Sequence, residues 1–429
     1  VPPEIFPKRQ VIAQRQVDAL RALLRALTPT NPFYTAKYDA ARAPGKVSHL
    51  GDFYSSFPFT TKAELVADQA ANPPYGTNLT FPLERYTRSH QTSGTSGAPL
   101  RWLDTPESWD WMADNWQTIL RVAGIARADT IFFAFSFGPF IGFWLAFEAG
   151  VRLGCRCLPG GGMSSAARLR AILDHRATVL CCTPTYALHL AEVAAAEGLT
   201  LADSPVKTLI VAGEPGGSIP ATRARLESSW PGVRVFDHHG MTETGPVTYE
   251  CPARSRVLHV LESAYIAEII HPETGAHVPT GETGELVLTT LGRFGSPLLR
   301  YRTGDLVRAA LDTVCECGRS DLALEGGILG RTDDMVCVRG VNIYPSAVEE
   351  ILRAQGGVAE YQVQVDTAST LPEITLKVES LPAVLDAAAL ARDVESALQV
   401  AFNLRIPVTV VAAGSLPRFE MKAQRWVRT

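Results

Sequence analysis

The chain has 429 residues, 46% of them hydrophobic and 20% charged, with a formal net charge of −4. That length supports two or more domains with cores of their own. The mild acidity gives no case for a nucleic-acid partner or for binding to an anionic membrane.

The N-terminal stretch KRQVIAQRQVDALRALLRAL carries apolar residues at helical spacing and reads as an amphipathic surface helix. The most apolar run, IFFAFSFGPFIGFWLAF from Ile131 to Phe147, is short for a bilayer and broken at Gly138-Pro139, so it reads as a buried strand followed by a helix. From about residue 120 the texture alternates. TIFFAF, CRCLPG, ATVLCCTP and VKTLIVAGEP are β-rich, and SSAARLRAILDH and TYALHLAEVAAAEG are helical. The pattern predicts an α/β fold with a mostly parallel sheet, its ligands at the carboxyl ends of the strands near the loops TPT, GEPGG and HHGMTETG. After residue 255 come β-rich segments such as AYIAEII and GELVLTTL. A final small α+β unit follows, with strand MVCVRG, helix SAVEEILRAQ, strands at YQVQVD and EITLKVE, helix LDAAALARDVESALQVAF and strand IPVTVVAA. The expected division is a large domain over 1–332, with α/β layers and a β-rich subdomain, and a small mobile domain over 333–429.

Eight cysteines, two of them adjacent at Cys181 and Cys182, with no evident secretory signal, predict a cytoplasmic protein with free or metal-bound thiols. Cys155, Cys157, Cys181, Cys182 and Cys337 lie in apolar strands and read as core. Cys251, His259, Cys315 and Cys317 make a set suited to a tetrahedral structural zinc ion, although the spacing is not that of a zinc finger and buried free cysteines are common.

QTSGTSGAPL, residues 91–100, offers glycines and hydroxyls to oxygen anions. It lacks the Gly-Lys pair of a nucleotide-hydrolase phosphate loop. Taken with GMTETG, YRTGD, GRTDD and the late lysine of LPRFEMKAQR, it resembles the acyl-adenylate-forming superfamily, and VAGEPGGS and GRTDDMVCVRGVNIYPSAVEE resemble its phenylacetate-CoA ligase branch in particular. The resemblance runs from about residue 50 to the end. It implies that Thr92, Ser93, Gly94, Thr95, Ser96 and Gly97 cover the outer phosphates of ATP, while the catalytic lysine, Lys422, arrives from the small domain. Many members have lysine where this chain has Ala98.

The resemblance further places Gly213, Glu214, Pro215, His239, Gly240, Met241, Thr242, Asp305 and Arg331 around the nucleotide. Thr242 would contact the adenylate phosphate, Glu243 would support Mg²⁺, and Asp305 would accept from the ribose hydroxyls. His239 stands where relatives carry an aromatic ring beside adenine. Asp333 is the implied hinge, and Arg339-Gly340 lies near the route of the thiol. Phe135, Phe140, Gly213, Gly216, His238 and Pro246 are candidate walls of an acyl pocket. Some members of the branch carry a metal site at the cysteine–histidine set.

The implied activity is ATP-dependent, AMP-forming activation of an aromatic carboxylic acid, with transfer to coenzyme A. Alternatives are a carrier-protein pantetheine, an amine or another nucleophile as acceptor, or a noncatalytic relative. The implied partners are the aryl acid, ATP and CoA, with no nucleic acid or membrane, and a homodimer is common among relatives.

Overall fold

The computed structural model describes residues 6–92, 99–338, 341–366, 373–419 and 423–428. Strands Thr130–Phe133, Arg156–Pro159, Val179–Cys182, Thr208–Val211 and Arg234–Asp237 form a parallel five-stranded sheet. The spatial order runs from the strand at 156 through those at 130, 179 and 208 to the one at 234. The chain therefore crosses to the other side of its first strand after Pro159. In sheets of this kind such a crossing, here between the strands at 130 and 179, marks the place where ligands bind at the carboxyl ends.

The alternation of side chains explains why these strands read as continuous apolar runs. Ile131, Phe133, Val179, Cys181, Ile210 and Phe236 enter one core, packed beneath helices Pro106–Val122 and Trp144–Leu153. Phe132, Leu180, Cys182, Leu209, Val211 and Val235 enter the other, beneath Ser165–Asp174 and Pro184–Ala196. A sheet covered on both faces needs apolar residues at every position. The short run TPT becomes a helix start because Thr183 accepts from the Tyr186 amide and Pro184 occupies the first turn.

The β-rich region folds as an antiparallel sheet of Tyr265–Ile270, Thr283–Thr290, Tyr301–Arg308 and Gly330–Arg331. The N-terminal helix Arg9–Leu27 buries Leu20, Leu23 and Leu27 against this region beside Ile266 and Leu299. Beyond residue 335 a separate core joins Val338, Val348, Leu352, Val363, Leu376, Val394 and Leu398. Its sheet contains Val358–Asp366, Glu373–Ser380 and Val408–Val411, together with Trp426–Arg428, which pairs parallel to the first of these. That last strand, at the end of the chain, has no signature in the sequence.

Cys155, Cys181 and Cys182 are buried, while Cys157 is half-buried. The side chain of Cys337 lies outside the described residues. No helix among the described residues is long and apolar enough to cross a membrane.

Candidate active site

At the carboxyl end of the parallel sheet the segment HHGMTETGP turns back on itself. Gly240 and Met241 pair antiparallel with Pro246 and Gly245. A side chain at 240 would come 2.8 Å from the Gly245 carbonyl, and Gly245 has φ +84°, so both positions need glycine. The loop expected from sequence is thus a tight hairpin, and it presents Thr242, Glu243 and Thr244 at its tip.

The hairpin tip is held by a residue that sequence reading passed over. Arg293 donates to the carbonyls of Thr242 (2.8 Å) and Glu243 (2.7 Å), and its other edge grips Asp104 at 2.7 and 2.6 Å. Both side chains of that pair are fully buried. Glu243 is buried, and the Lys62 ammonium stands 3.7 Å from its Oε1. Lys62 opens the helix Lys62–Ala71, whose start is fixed by reciprocal bonds between Thr61 and Glu64. Lys62 was also missed. The run TTKAEL announces a capped helix but not that its first residue faces an acid 181 positions away.

Asp305 and Arg331 sit opposite one another on neighbouring antiparallel strands. Arg331 Nη1 donates to Asp305 Oδ1 at 2.7 Å, and its remaining nitrogens reach Asp333 at 2.8 and 3.0 Å. His239 Nε2 lies 3.2 Å from Asp305 Oδ2, yet neither atom is aligned for a hydrogen bond. Burial pushes the Asp305 carboxyl up, but His239 and Arg331 outweigh it and hold the group below its ordinary value. An ionised carboxylate is the result, with Oδ1 on Arg331 and Oδ2 beside His239. Asp333 itself is exposed.

Thr92 closes the stem of the 93–98 loop. Its amide donates to the Leu100 carbonyl at 2.9 Å, and its hydroxyl accepts from the Leu100 amide at 3.0 Å. Ser93, Gly94, Thr95, Ser96, Gly97 and Ala98 lie outside the described residues, as do Arg339, Gly340 and Lys422. The residue after Lys422 is nonetheless fixed. The amide of Ala423 donates to Glu214 Oε2 at 2.7 Å, while Oε1 of the same carboxylate accepts from the Thr185 amide at 2.9 Å. Gly213 precedes it with φ +96°, and a side chain at Gly216 would strike Pro184 at 2.5 Å. Pro215 completes that turn. Its neighbour Glu214 thus spends both oxygens on backbone amides.

His238 is buried at the end of its strand, with its ring 4.3 Å from that of Trp116. Phe143 lies beyond Trp116 at 6.3 Å, and Phe135 packs edge-on to Phe143 at 5.6 Å. Phe140 is half-buried and makes none of these ring contacts. Pro246 is buried in the hairpin.

Away from this end of the sheet, Cys251, His259, Cys315 and Cys317 bring their ligand atoms within 4.8 Å of one another. Cys251 Sγ and Cys315 Sγ are 3.6 Å apart, too far for a disulfide at about 2 Å. Cys317 Sγ and His259 Nε2 are 3.5 Å apart. Zinc–sulfur bonds of about 2.3 Å at tetrahedral angles put ligand atoms about 3.8 Å apart, so the donors stand close to the spacing such an ion needs. His259 Nδ1 faces the Asp321 carbonyl at 3.2 Å, which fixes the proton there and leaves Nε2 free to ligate.

Two family profiles match the chain. The AMP-binding enzyme profile covers residues 92–294, and the AMP-binding enzyme C-terminal domain profile covers 340–428. Phenylacetate-coenzyme A ligase of Thermus thermophilus is 33% identical over 380 residues, which is 88% of this chain and 83% of that protein. Its Escherichia coli counterpart is 32% identical over 96% of this chain and 93% of that protein. Among solved structures, 2-hydroxyisobutyryl-CoA ligase in its postadenylation state superposes with a TM-score of 0.94 at 29% identity, covering 100% of this chain and 92% of that one. The thioesterification state of the same ligase scores 0.75 at 29% identity, covering 99% and 91%. The described arrangement is thus more similar to the postadenylation state of that ligase than to its thioesterification state. The chain belongs to the AMP-binding, acyl-adenylate-forming enzyme family.

Proposed function

We propose that this protein is an AMP-forming acid–thiol ligase that activates an aromatic carboxylic acid and transfers it to coenzyme A. The observation that carries the reading is the convergence of Glu243, Lys62, Asp305 and Arg331 beside one hairpin, in a chain a third identical to phenylacetate-CoA ligases. In the first half-reaction a carboxylate oxygen attacks the α-phosphorus of ATP. An O–P bond forms and pyrophosphate leaves with the electron pair. In the second, a thiol sulfur attacks the acyl carbon and AMP departs.

Asp305, kept ionised, accepts from ribose hydroxyls through Oδ2, and Arg331 holds it from behind. Thr242 and Glu243 face the phosphates from a tip that Arg293 keeps rigid. Glu243 is a hard oxygen donor suited to Mg²⁺, which neutralises phosphate charge when bound. Lys62 adds an ammonium beside it, and residue 98 of the phosphate loop has no lysine to offer. Lys422 stabilises charge developing on phosphate and acyl oxygens. Glu214, by anchoring Ala423, holds the chain next to that lysine at the GEPGG turn. Asp333 is the hinge, dividing 1–332 from 333–429, and Arg339-Gly340 flanks the thiol's path after rotation. Zinc at Cys251, His259, Cys315 and Cys317 is structural, since its four-ligand set leaves no open position.

A second reading has a specific observation behind it. The ligase that superposes at 0.94 is named for 2-hydroxyisobutyrate, so an aliphatic hydroxy acid is the competing substrate class.

ATP–pyrophosphate exchange driven by benzoates, phenylacetates and 2-hydroxyisobutyrate, with and without CoA, tests the proposal. One or more aryl acids should drive exchange, and CoA should then consume the acyl-adenylate. Exchange with 2-hydroxyisobutyrate alone selects the second reading. Adenylate that forms but persists in CoA, and is discharged by an amine, removes the proposed acceptor.

A further inference from the structure

The small unit beyond residue 335 meets the parallel-sheet unit along a seam whose charged residues have no part in the chemistry above. Helices Pro184–Ala196 and Pro220–Ser229 supply the large unit's side of it. Arg225 donates to the Val358 carbonyl at 2.7 Å, and the Ala221 amide donates to Glu350 Oε2 at 3.2 Å. Arg425, gripped by both oxygens of Glu360, reaches Thr185 Oγ1 at 3.3 Å.

In this seam one carboxylate stands between two guanidiniums, one from each unit. Glu192 Oε1 lies 3.8 Å from Nη2 of Arg225 in its own unit, and Oε2 lies 3.6 Å from Nε of Arg418 in the small unit. His189, three residues back on the same helix, is 3.9 Å from that second oxygen. The two arginine distances exceed those of direct hydrogen bonds, so the attraction is Coulombic. Glu192 is the only carboxylate within 4 Å of Arg225 among the described residues.

Arg418 is clamped from within the small unit as well. Its Nη2 donates to Glu379 Oε2 at 2.7 Å, and the same carboxylate accepts from the Gly414 amide at 3.0 Å and from the Leu416 amide. Residues 414–418 are thereby fastened to the strand Glu373–Ser380. Lys422 follows four positions after Arg418, and the amide next to it is held by Glu214. Arg353 and Arg425 line the same cavity as Glu192 and Arg418, but each is matched inside the small unit, by Glu349 and Glu360. Without Glu192, Arg225 and Arg418 would face one another from opposite units with no charge between them.

We propose that Glu192 is a positioning residue of the first half-reaction: by drawing Arg418 toward Arg225 it favours the arrangement in which the small unit presents Lys422, and it gives thioester formation no help. The inference rests on the adenylation reading above, with Lys422 serving the first half-reaction and the small unit turning at Asp333 for the second. The side chains of Glu192 and Arg418 are 36% and 29% exposed, so their attraction is modest and the small unit can leave.

The experiment compares the two half-reactions in Glu192→Gln and Glu192→Lys. The first is read as ATP–pyrophosphate exchange, driven by the most active of benzoate, phenylacetate and 2-hydroxyisobutyrate. The second is read as thioester formation in a single turnover from CoA and the synthetic adenylate of the same acid. Exchange should fall about two- to fivefold in Glu192→Gln, the scale of a part-exposed ion pair, and about tenfold or more in Glu192→Lys, where a cation faces Arg418. Thioester formation should hold or rise in both. Adding Arg418→Gln to Glu192→Lys removes the facing charge and should recover part of the exchange, which mere damage to the helix would not allow. Equal losses in the two half-reactions overturn the inference, as does exchange at the parental rate in Glu192→Lys. No exchange with any of the acids, or no thioester from the parent, removes the reading above and this inference with it.

Discussion

At the carboxyl end of the parallel sheet, Asp305 Oδ2 and His239 Nε2 are buried 3.2 Å apart, and neither has an aligned hydrogen bond among the described residues. At the cysteine–histidine corner, the four ligand atoms face one another, and the spare nitrogen of His259 already has its carbonyl. Both regions concentrate buried polar atoms, and both draw residues from distant parts of the chain. The first leaves a carboxylate oxygen and an imidazole nitrogen side by side next to the hairpin. The second is incomplete inward, toward a point one ion can fill. Unpaired buried polar atoms are costly in either case. Their chemistry separates the two regions: a carboxylate and an imidazole in the first, three thiols and an imidazole in the second.

Substitutions should separate the two regions by what they change. Arg293→Met leaves Asp104 buried without a counter-charge and frees two hairpin carbonyls, so it should lose about 3–5 kcal/mol of stability in urea unfolding. A loss under about 1 kcal/mol would mean that water reaches Asp104. Lys422→Ala should do the reverse: pyrophosphate exchange should fall on the order of 10²- to 10³-fold with the melting temperature unchanged. Exchange at the unaltered rate would remove Lys422 from the mechanism. Chelation, or Cys315→Ser, should remove one zinc per chain by elemental analysis and lower the melting temperature. A metal at a hundredfold excess over its Kd contributes about 2.7 kcal/mol. Adenylation in surviving folded protein should change little, and a collapse of exchange at constant melting temperature would make the corner part of the active site.

The smallest effect concerns pH. Burial lowers His238 to about 3 from 6.5, so below about pH 6.5 the unfolded chain takes up a proton that the native ring refuses. The stability tied to the neutral ring is complete above that value and declines as the pH drops, by about 2 kcal/mol at pH 5. Asp237, pushed up to about 6 chiefly by burial, works in the opposite sense, because the native state gains its proton first. The two partly cancel in the unaltered protein. His238→Leu should therefore lose less stability between pH 7 and pH 5 than the parent does, and an equal loss would place the ring in water.

Much of this architecture is legible in sequence because it is written locally. The strands buried on both faces are apolar at every position, Thr183-Pro184 announces a helix start, and YRTGD and GRTDD single out Asp305 and Arg331 before their strand pairing is known. Arg293 is different. Its partner Asp104 is 189 residues away, and GRFG gives no sign that one guanidinium will hold the hairpin. Lys62 is hidden for the same reason. The tautomer of His238 depends on a carbonyl, and every residue has one, so no composition or spacing reports it. What the sequence conceals here is chiefly the pairing of charged and polar groups across long separations.

Glu214 joins the middle of the chain to its tail through a single carboxylate, one oxygen on the Thr185 amide and the other on the Ala423 amide. A hydrogen bond to a charged acceptor contributes about 1.5–3 kcal/mol, which skews an equilibrium roughly ten- to a hundredfold and no further. In the proposed mechanism such a contact is an escapement: it would hold the tail beside the nucleotide for one chemical beat, and thermal motion would suffice to release it for the next.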